Sequence, residues 1–175
     1  MPLIYVTGAP GVGKSTITNA LSKLDLKVYD IDDPQFGGPY NLKSGLRVTI
    51  PPAKDRADDW FSYHEWRLDS DAVARLAQQS NLENTTTYLC GVAEGDEIIL
   101  PYFDKIIYLA LEDSLLLQRL INRTDNDFGK NESERKMILA RKKKLDDKYE
   151  KMDVYIIDAS QSIDSITSII RDLNS

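Results

Sequence analysis

One stretch near the start of the chain constrains the fold more than any other feature of the sequence. Residues Gly8 to Ser15 fit the pattern G-x-x-x-x-G-K-S/T. They follow Leu3 to Thr7, a short apolar run rich in β-forming residues, and lead into Gly13 to Lys23, whose apolar positions have helical spacing. A strand, a glycine turn and a helix in this order are the context in which this pattern binds phosphate groups.

The residue types in this stretch explain why it would bind a polyphosphate. Glycines allow successive N–H groups to curve around a phosphate without a clashing Cβ atom, and the helix N-terminus adds partial positive charge. In such a loop Lys14 reaches the β- and γ-phosphates, the Ser15 hydroxyl ligates Mg²⁺, and Thr16 donates to the α-phosphate. We therefore expect ATP and Mg²⁺ to bind a loop composed of Gly8, Ala9, Pro10, Gly11, Val12, Gly13, Lys14, Ser15 and Thr16.

The rest of the chain alternates between strand and helix patterns. Further strands are predicted over Leu26 to Asp30, Thr86 to Cys90, Lys105 to Ala110 and Val154 to Asp158. Further helices are predicted over Asp59 to Gln79, Glu112 to Arg123, Asn131 to about Tyr149 and Ile163 to Leu173. The segment from Asp33 to Pro52, rich in proline and glycine at its start, is predicted to be a long loop. Five strands, each followed by a helix, imply an α/β fold with a parallel sheet covered on both faces.

Composition narrows the classes of function. A chain of 175 residues with 42% hydrophobic and 29% charged residues fits one globular domain. A net charge of -6 argues against nucleic acid as a main partner, because phosphate backbones attract basic surfaces. The sequence has no run of eighteen apolar residues and no secretory leader, so we expect no membrane contact. Cys90 is the only cysteine, which favours the cytoplasm, and the oligomeric state is not predicted.

Three further features accompany the phosphate loop. Asp30 and Asp32 stand at the end of the second predicted strand, where parallel sheets bind ligands. Arg119 and Arg123, four residues apart on one helix face, precede a polar loop over residues 124–131. Ala159 and Ser160 follow the last strand. With the phosphate loop, these features resemble the P-loop nucleotide and metabolite kinases, such as adenylate, shikimate and gluconate kinases.

The resemblance implies a fold and a set of roles. It implies a three-layer P-loop NTPase fold in which five parallel strands have the order 2-3-1-4-5, with a small lid. The whole chain, 1–175, would be one kinase domain with an acceptor-binding region over 35–80 and a lid over 119–145. Asp32, slightly favoured over Asp30, would accept the proton of an attacking hydroxyl or hold the hydration shell of Mg²⁺. Arg119 and Arg123 would reach the phosphates or cover the adenine, and the loop with Ala159 and Ser160 would contact the adenine.

Some of these residues also have ordinary structural interpretations. The acidic pair could be a solvated turn, the two arginines could be surface residues, and Ser160 could lie near a helix cap. The third strand ends in Leu89-Cys90-Gly91, with no carboxylate to hold a metal, so metal binding would depend on Ser15, Asp32 and water. Glu94 and Asp96 are further candidates for the metal, and Gly91 could allow close approach to a ligand. The guanine signature N-K-x-D is absent, which favours adenine.

The acceptor side is expected between residues 35 and 80. Its candidates are Arg47, Arg56, Trp60, His64 and Arg67. Trp60, His64 and Arg67 would share one edge of the predicted helix and hold a polar, anionic or ring-shaped acceptor. In the alternative interpretation Trp60 is core, His64 is scaffold, and Arg67 pairs with Asp71. The basic run Arg141 to Lys144 is expected to be a solvated helix face.

These features together predict a phosphotransferase. The expected reaction moves the γ-phosphoryl group of ATP to a small hydroxyl-bearing acceptor, a metabolite or a nucleoside. A nucleoside monophosphate kinase is the first alternative. The second is an ATPase or nucleotide-dependent switch that acts on a protein or RNA partner. A polynucleotide-end kinase would need a basic groove, which the acidic net charge does not favour.

Overall fold

The computed structural model describes residues 2–52, 55–57, 59–93, 95–124 and 128–173. Its strands are β1 (Leu3–Gly8), β2 (Lys27–Asp30), β3 (Gly37–Asn41), β4 (His64–Leu68), β5 (Thr87–Cys90), β6 (Lys105–Ala110) and β7 (Tyr155–Asp158). Its α-helices are α1 (Lys14–Ser22), α2 (Ser70–Leu82), α3 (Asp113–Asn122), α4 (Glu132–Tyr149) and α5 (Ile163–Asp172). Within the described residues, every helix is too short or too polar to span a membrane.

Five of the strands form one parallel sheet in the spatial order β2-β5-β1-β6-β7. Counted along the chain, these are the second, third, first, fourth and fifth parallel strands. Tyr5 of β1 is aligned with Leu89 of β5 on one side and Ile106 of β6 on the other. Because β1 is central, the loop that follows it emerges in the middle of the carboxyl edge of the sheet. The predicted α/β class and five-stranded parallel sheet are confirmed.

Hydrophobic side chains cover both faces of this sheet. Along β1, Ile4 and Val6 belong to one buried cluster, and Leu3 and Tyr5 belong to another, as the alternation of side chains in a strand requires. The first cluster includes helical residues of α1, α3, α4 and α5, namely Ile17, Leu21, Leu116, Leu120, Ile138, Ile166 and Ile170. The second includes Val73 and Leu76 of α2. Helices therefore pack on both faces.

Three of the helices have a side-chain cap at the N-terminus, whereas α1 has none. Asp69, Asn131 and Ser162 cap α2, α4 and α5, because each side chain accepts a hydrogen bond from a first-turn N–H group. The predicted start of α4 at Asn131 is thus confirmed. Helix α1 begins instead at Gly13, which has a φ of 110° and supplies no side-chain cap.

The segment between β2 and α2 differs from the prediction. The helix expected over Asp59 to Gln79 is wrong in its first half, where a 3₁₀ turn over Trp60–Ser62 and then β4 precede the cap at Asp69. Its second half is confirmed, because α2 begins at Ser70. Strand β4 pairs antiparallel with β3, which lies inside the predicted loop. A Cβ atom on Gly37 would lie 2.4 Å from the Arg67 carbonyl oxygen, so glycine permits this close pairing. Strands β3 and β4 lie far apart in the sequence, so no local pattern of apolar residues predicts that they pair.

Candidate active site

The start of α1 offers unpaired main-chain donors to a ligand. The first main-chain hydrogen bond of the turn runs from the Ile17 N–H to the Gly13 carbonyl at 3.1 Å. The N–H groups of Lys14, Ser15 and Thr16 have no hydrogen-bond partner among the residues that the structure describes. With no side-chain cap at Gly13, these donors fit a phosphate group, whose oxygens would satisfy them.

The Lys14 ammonium group lies over the same loop. It donates to the carbonyl oxygens of Gly8 at 2.7 Å and Ala9 at 3.0 Å. Burial lowers the pKa of Lys14 to about 8, although the nearby charges of Asp32 and Asp30 act in the opposite direction. A negatively charged ligand at this loop would stabilise the protonated amine and raise its pKa again.

The acidic pair lines the cavity that the phosphate loop also lines. The Asp30 carboxylate accepts a hydrogen bond from the Asp32 N–H at 2.9 Å, which fixes the turn after β2. Asp32 lines the cavity and remains exposed. Partial desolvation by the cavity walls, and then the charge of Asp30, raise the pKa of Asp32, while Lys14 lowers it. A carboxylate with a raised pKa is a better proton acceptor near neutral pH.

The donor set fits a magnesium ion that is held mostly by phosphate and water. No cluster of three or more His, Cys, Asp or Glu side chains suited to a metal occurs in the described part of the chain. Mg²⁺ needs only one or two protein ligands when phosphates and waters supply the rest, and Ser15 and Asp32 both line the cavity. Asp96 is only 2% exposed and binds the Tyr149 hydroxyl and the Lys148 ammonium group. Glu94 lies outside the described residues.

Arg119 connects the phosphate loop to the loop after β7. Its Nη1 atom donates to the Val12 carbonyl at 2.8 Å, and its Nη2 atom donates to the Ala159 carbonyl at 3.0 Å. Arg119 and Ala159 line the cavity, whereas Ser160 does not. The Ser160 N–H instead binds the Asp158 carboxylate at 2.8 Å. Arg119 therefore holds together the two loops from which the sequence predicts nucleotide contacts.

Arg123 lies one helical turn further, at the end of α3, and also lines the cavity. Its Nη2 atom donates to the Phe128 carbonyl oxygen. The same loop is tied to α4, because the Gly129 N–H donates to the Glu134 carboxylate at 2.7 Å. These bonds connect the end of α3 to the segment that precedes α4.

Gly91, at the end of β5, lines the cavity and is closely packed. A Cβ atom there would lie 1.9 Å from Cγ2 of Ile31, a residue that is fully buried. The glycine therefore lets the loop after β2 lie against the loop after β5. This contact places Asp30 and Asp32 beside the phosphate loop.

A stacked aromatic pair lines another part of the cavity. The Trp60 and His64 rings stack at a centroid distance of 3.9 Å and an angle of 11°. The His64 Nδ1 atom lies 2.6 Å from the Trp60 carbonyl oxygen, so we place the proton there. The Nε2 atom then accepts from the Asn41 Nδ2 atom at 3.1 Å. Trp60 and His64 both line the cavity. The helical edge that they were expected to share is wrong, because Trp60 lies in a 3₁₀ turn and His64 in β4.

The three arginines predicted on the acceptor side make contacts within their own segment and do not line the cavity. Arg47 donates to the carbonyl oxygens of Pro34 and Gly37. Arg56 lies over the Phe61 ring at 4.6 Å. Arg67 forms an ion pair with Glu65 at 2.5 Å, so the alternative pairing with Asp71 is wrong.

The cavity has a volume of about 1340 Å³ and extends from the phosphate loop to the aromatic wall. Sequence reasoning missed several residues that line it, including Phe61, Phe128 and Met137. Arg141 and Lys144, predicted on a solvated face, line it as well. Their spacing from Met137 was the available signal, because positions i, i+4 and i+7 share one face of a helix.

Comparisons with known proteins agree with this architecture. Neither a protein-family model nor a curated protein matches the sequence. A shikimate kinase from Acinetobacter baumannii in complex with shikimate is 20% identical, with a TM-score of 0.58 over 99% of this chain and 92% of that one. A sugar kinase from Janibacter sp. HTCC2649 is 15% identical, with a TM-score of 0.59 over 98% and 93%. A deoxyadenosine kinase from M. mycoides with bound dATP is 16% identical, with a TM-score of 0.53 over 100% of both chains.

These solved structures are P-loop kinases, the group that the four sequence features resemble. At such low identities the similarity concerns the fold, and it includes nearly the full length of each chain. In this chain the phosphate loop follows the central strand of the parallel sheet. The chain has the fold of the P-loop small-molecule kinases.

Proposed function

We propose that the protein transfers the γ-phosphoryl group of ATP to a hydroxyl group of a small acceptor. The observation that carries the proposal is the shared cavity, in which the unpaired N–H groups of α1 and Lys14 lie at one end with Asp32 beside them. Its volume of about 1340 Å³ exceeds the roughly 300–1,000 Å³ typical of a site for one ligand, so two substrates can fit.

In this reaction the chain acts mainly by positioning and by charge. The N–H groups of Lys14, Ser15 and Thr16 bind phosphate oxygens, and the Lys14 ammonium group balances the charge that develops on the leaving phosphate. Arg119 holds the loop in shape through its bonds to Val12 and Ala159. Arg123 lines the same cavity and is proposed to bind the phosphoryl group that is transferred.

Ser15 and Asp32 are the side chains proposed to hold Mg²⁺. When bound, the metal would withdraw charge from the phosphate oxygens. Asp32 is also the proposed proton acceptor for the attacking hydroxyl, because its raised pKa suits that role and it lines the cavity near Lys14. Asp30 supports it by accepting the Asp32 N–H.

The acceptor wall favours an uncharged group beside Trp60 and His64. The residues that line it from the segment 37–68 are Pro39, Leu42, Ile50, Trp60, Phe61, Ser62, His64, Glu65 and Trp66. Among them are four aromatic or imidazole rings and one carboxylate. The arginines of that segment do not line the cavity, because they contact other groups of the segment. A metabolite or nucleoside hydroxyl is thus the favoured acceptor.

Arg141 and Lys144, which line the same cavity from α4, give a nucleoside monophosphate a place for its phosphate. A nucleoside monophosphate kinase is therefore the second candidate.

We further propose that residues 1–175 act as one catalytic unit in the cytoplasm, with the acceptor region over 35–80 and the lid over 119–145.

A coupled assay of ADP release would test the proposal. Wild-type protein with ATP and Mg²⁺ is screened against nucleosides, nucleoside monophosphates and sugar or cyclitol acids, with one sample lacking any acceptor. We expect at least one acceptor to raise ADP release well above the sample without acceptor, and Lys14→Ala to abolish the increase. ADP release that no acceptor changes would contradict the proposal and favour an ATPase or switch acting on a macromolecule.

A further inference from the structure

A continuous series of ring contacts joins the acceptor wall to the arginine at the phosphate end. The Trp60 ring meets the Phe61 ring edge-on at 5.1 Å and 87°. The Phe61 ring meets the Phe128 ring at 4.5 Å and 50°. The Phe128 carbonyl oxygen accepts the hydrogen bond from Arg123. All four residues line the same cavity.

The loop at Phe128 is held firmly on the other side. The Lys130 ammonium group donates to the carbonyl oxygens of Ile121, at 2.9 Å, and Arg123. A Cβ atom on Gly129 would lie 2.9 Å from Cδ2 of Leu120, so the loop lies directly on α3. Phe128 also packs against the main buried cluster. A displacement of the Phe128 ring would therefore shift the carbonyl that Arg123 binds.

The Phe61 side of the contact is equally constrained. The Trp60 ring that contacts Phe61 is stacked on His64, and His64 is hydrogen-bonded at both ring nitrogens. The Arg56 guanidinium group lies over the Phe61 ring at 4.6 Å. An acceptor that moves this wall would press on Phe128 through ring contact, because close-packed groups transmit small shifts.

We propose that Phe61 and Phe128 are positioning residues that couple the acceptor wall to Arg123. Through their contact, nucleotide binding at the phosphate loop changes the surroundings of Trp60, and acceptor binding sets the position of the Arg123 guanidinium group. Aromatic pairs of this kind couple by an amount equal to about 2- to 12-fold in an equilibrium or rate constant. The inference depends on the proposed function only in that the cavity holds nucleotide at one end and acceptor at the other.

Trp60 provides a direct test. The chain has two tryptophans, so Trp66→Phe leaves Trp60 as the only one. In that background, non-hydrolysable AMP-PNP with Mg²⁺ is titrated while Trp60 emission and binding heat are both recorded. We expect an emission change that follows the calorimetric binding curve. Phe128→Ala should reduce that change to less than about a quarter, with nucleotide affinity kept within about threefold.

Tyr63→Ala is the matched control, because Tyr63 lies beside the wall, is 59% exposed and does not line the cavity. It should leave the emission change intact. Phe128→Leu, which keeps apolar volume without the ring, serves where the alanine variant does not fold, and the same loss is expected. An emission change that persists at full size in both Phe128 variants would overturn the inference. The inference would also be overturned if calorimetry showed nucleotide binding and the Trp60 emission did not change.

Turnover gives a second readout once an acceptor is found. Phe61→Ala and Phe128→Ala should each lower kcat by about 2- to 12-fold, and the double variant should lose little more than either single variant. Losses that multiply in the double variant, or a change confined to the KM of the acceptor, would contradict coupling. A different result, no detectable heat of AMP-PNP binding to the wild-type protein, would contradict the proposed function and this inference together.

Discussion

The pKa of Lys14 leads to a prediction about how ATP binding depends on pH. In the free protein burial lowers this pKa to about 8, so half of the molecules lack the positive charge at that pH. Bound phosphate would stabilise the ammonium form, so the pKa in the complex would be higher. Lys14 must then take up a proton when ATP binds above pH 8, and affinity should fall as pH rises.

The magnitude follows from linkage. Each pH unit above about 8 should reduce the ATP association constant by up to about tenfold, or about 1.4 kcal/mol, until the pKa of the complex is reached. Between pH 7.5 and 9.5 the total loss should therefore be roughly 20- to 30-fold. Below about pH 7 the amine is almost fully charged, so its contribution to affinity should be almost constant there.

Calorimetry of ATP binding in two buffers with different ionisation enthalpies measures both effects. At pH 8.5 we expect uptake of about 0.8 proton per ATP, the fraction of Lys14 that is neutral there. Lys14→Arg is the matched control, because a guanidinium group stays charged over this range and should show neither proton uptake nor a pH-dependent affinity. A wild-type affinity that is flat from pH 7.5 to 9.5, with no proton uptake, would refute the reasoning.

Three other variants test the remaining parts of the site. Asp32→Asn should lower phosphoryl transfer by roughly 10²- to 10⁴-fold while ATP affinity by calorimetry stays within about threefold, and an unchanged rate would remove Asp32 as the base. Arg119→Ala breaks two hydrogen bonds that join the cavity loops, so urea unfolding should show a loss of about 2–4 kcal/mol along with weaker ATP binding; unchanged stability and affinity would contradict that bracing role. Gly91→Ala forces a Cβ atom against buried Ile31 and should cost about 1–3 kcal/mol or more in the same assay, whereas Gly45→Ala, where the space is open, should cost less; equal losses would argue against crowding at Gly91.

The parts of the molecule that sequence reasoning identified are those with local signals. The pattern from Gly8 to Ser15 specifies both a turn and a helix start, and the structure has the strand, turn and helix in that order. The alternation of strands and helices likewise predicted a parallel sheet covered on both faces. In the structure, the side chains of β1 are buried on both sides of the sheet. Asn131 predicted the start of α4 through its capping preference.

The acceptor side depended on contacts that no local pattern encodes. Phe61, Leu68, Ala72 and Leu76 have nearly helical spacing, which favoured one helix where the chain forms β4 and then α2. The decisive interaction is the pairing of β3 with β4, in which Asn41 is aligned with His64. The contact between Phe61 and Phe128 joins residues still further apart. Such long-range contacts decide which side chains face the cavity.

In the proposed reaction the protein moves a phosphoryl group to an acceptor other than water. Phosphorus NMR of wild-type protein incubated with ATP, Mg²⁺ and the acceptor pool measures this directly. We expect a new phosphomonoester or diphosphate resonance that grows in a one-to-one ratio with ADP, and no such resonance with Lys14→Ala. Equal amounts of ADP and inorganic phosphate, with no phosphorylated acceptor, would contradict it.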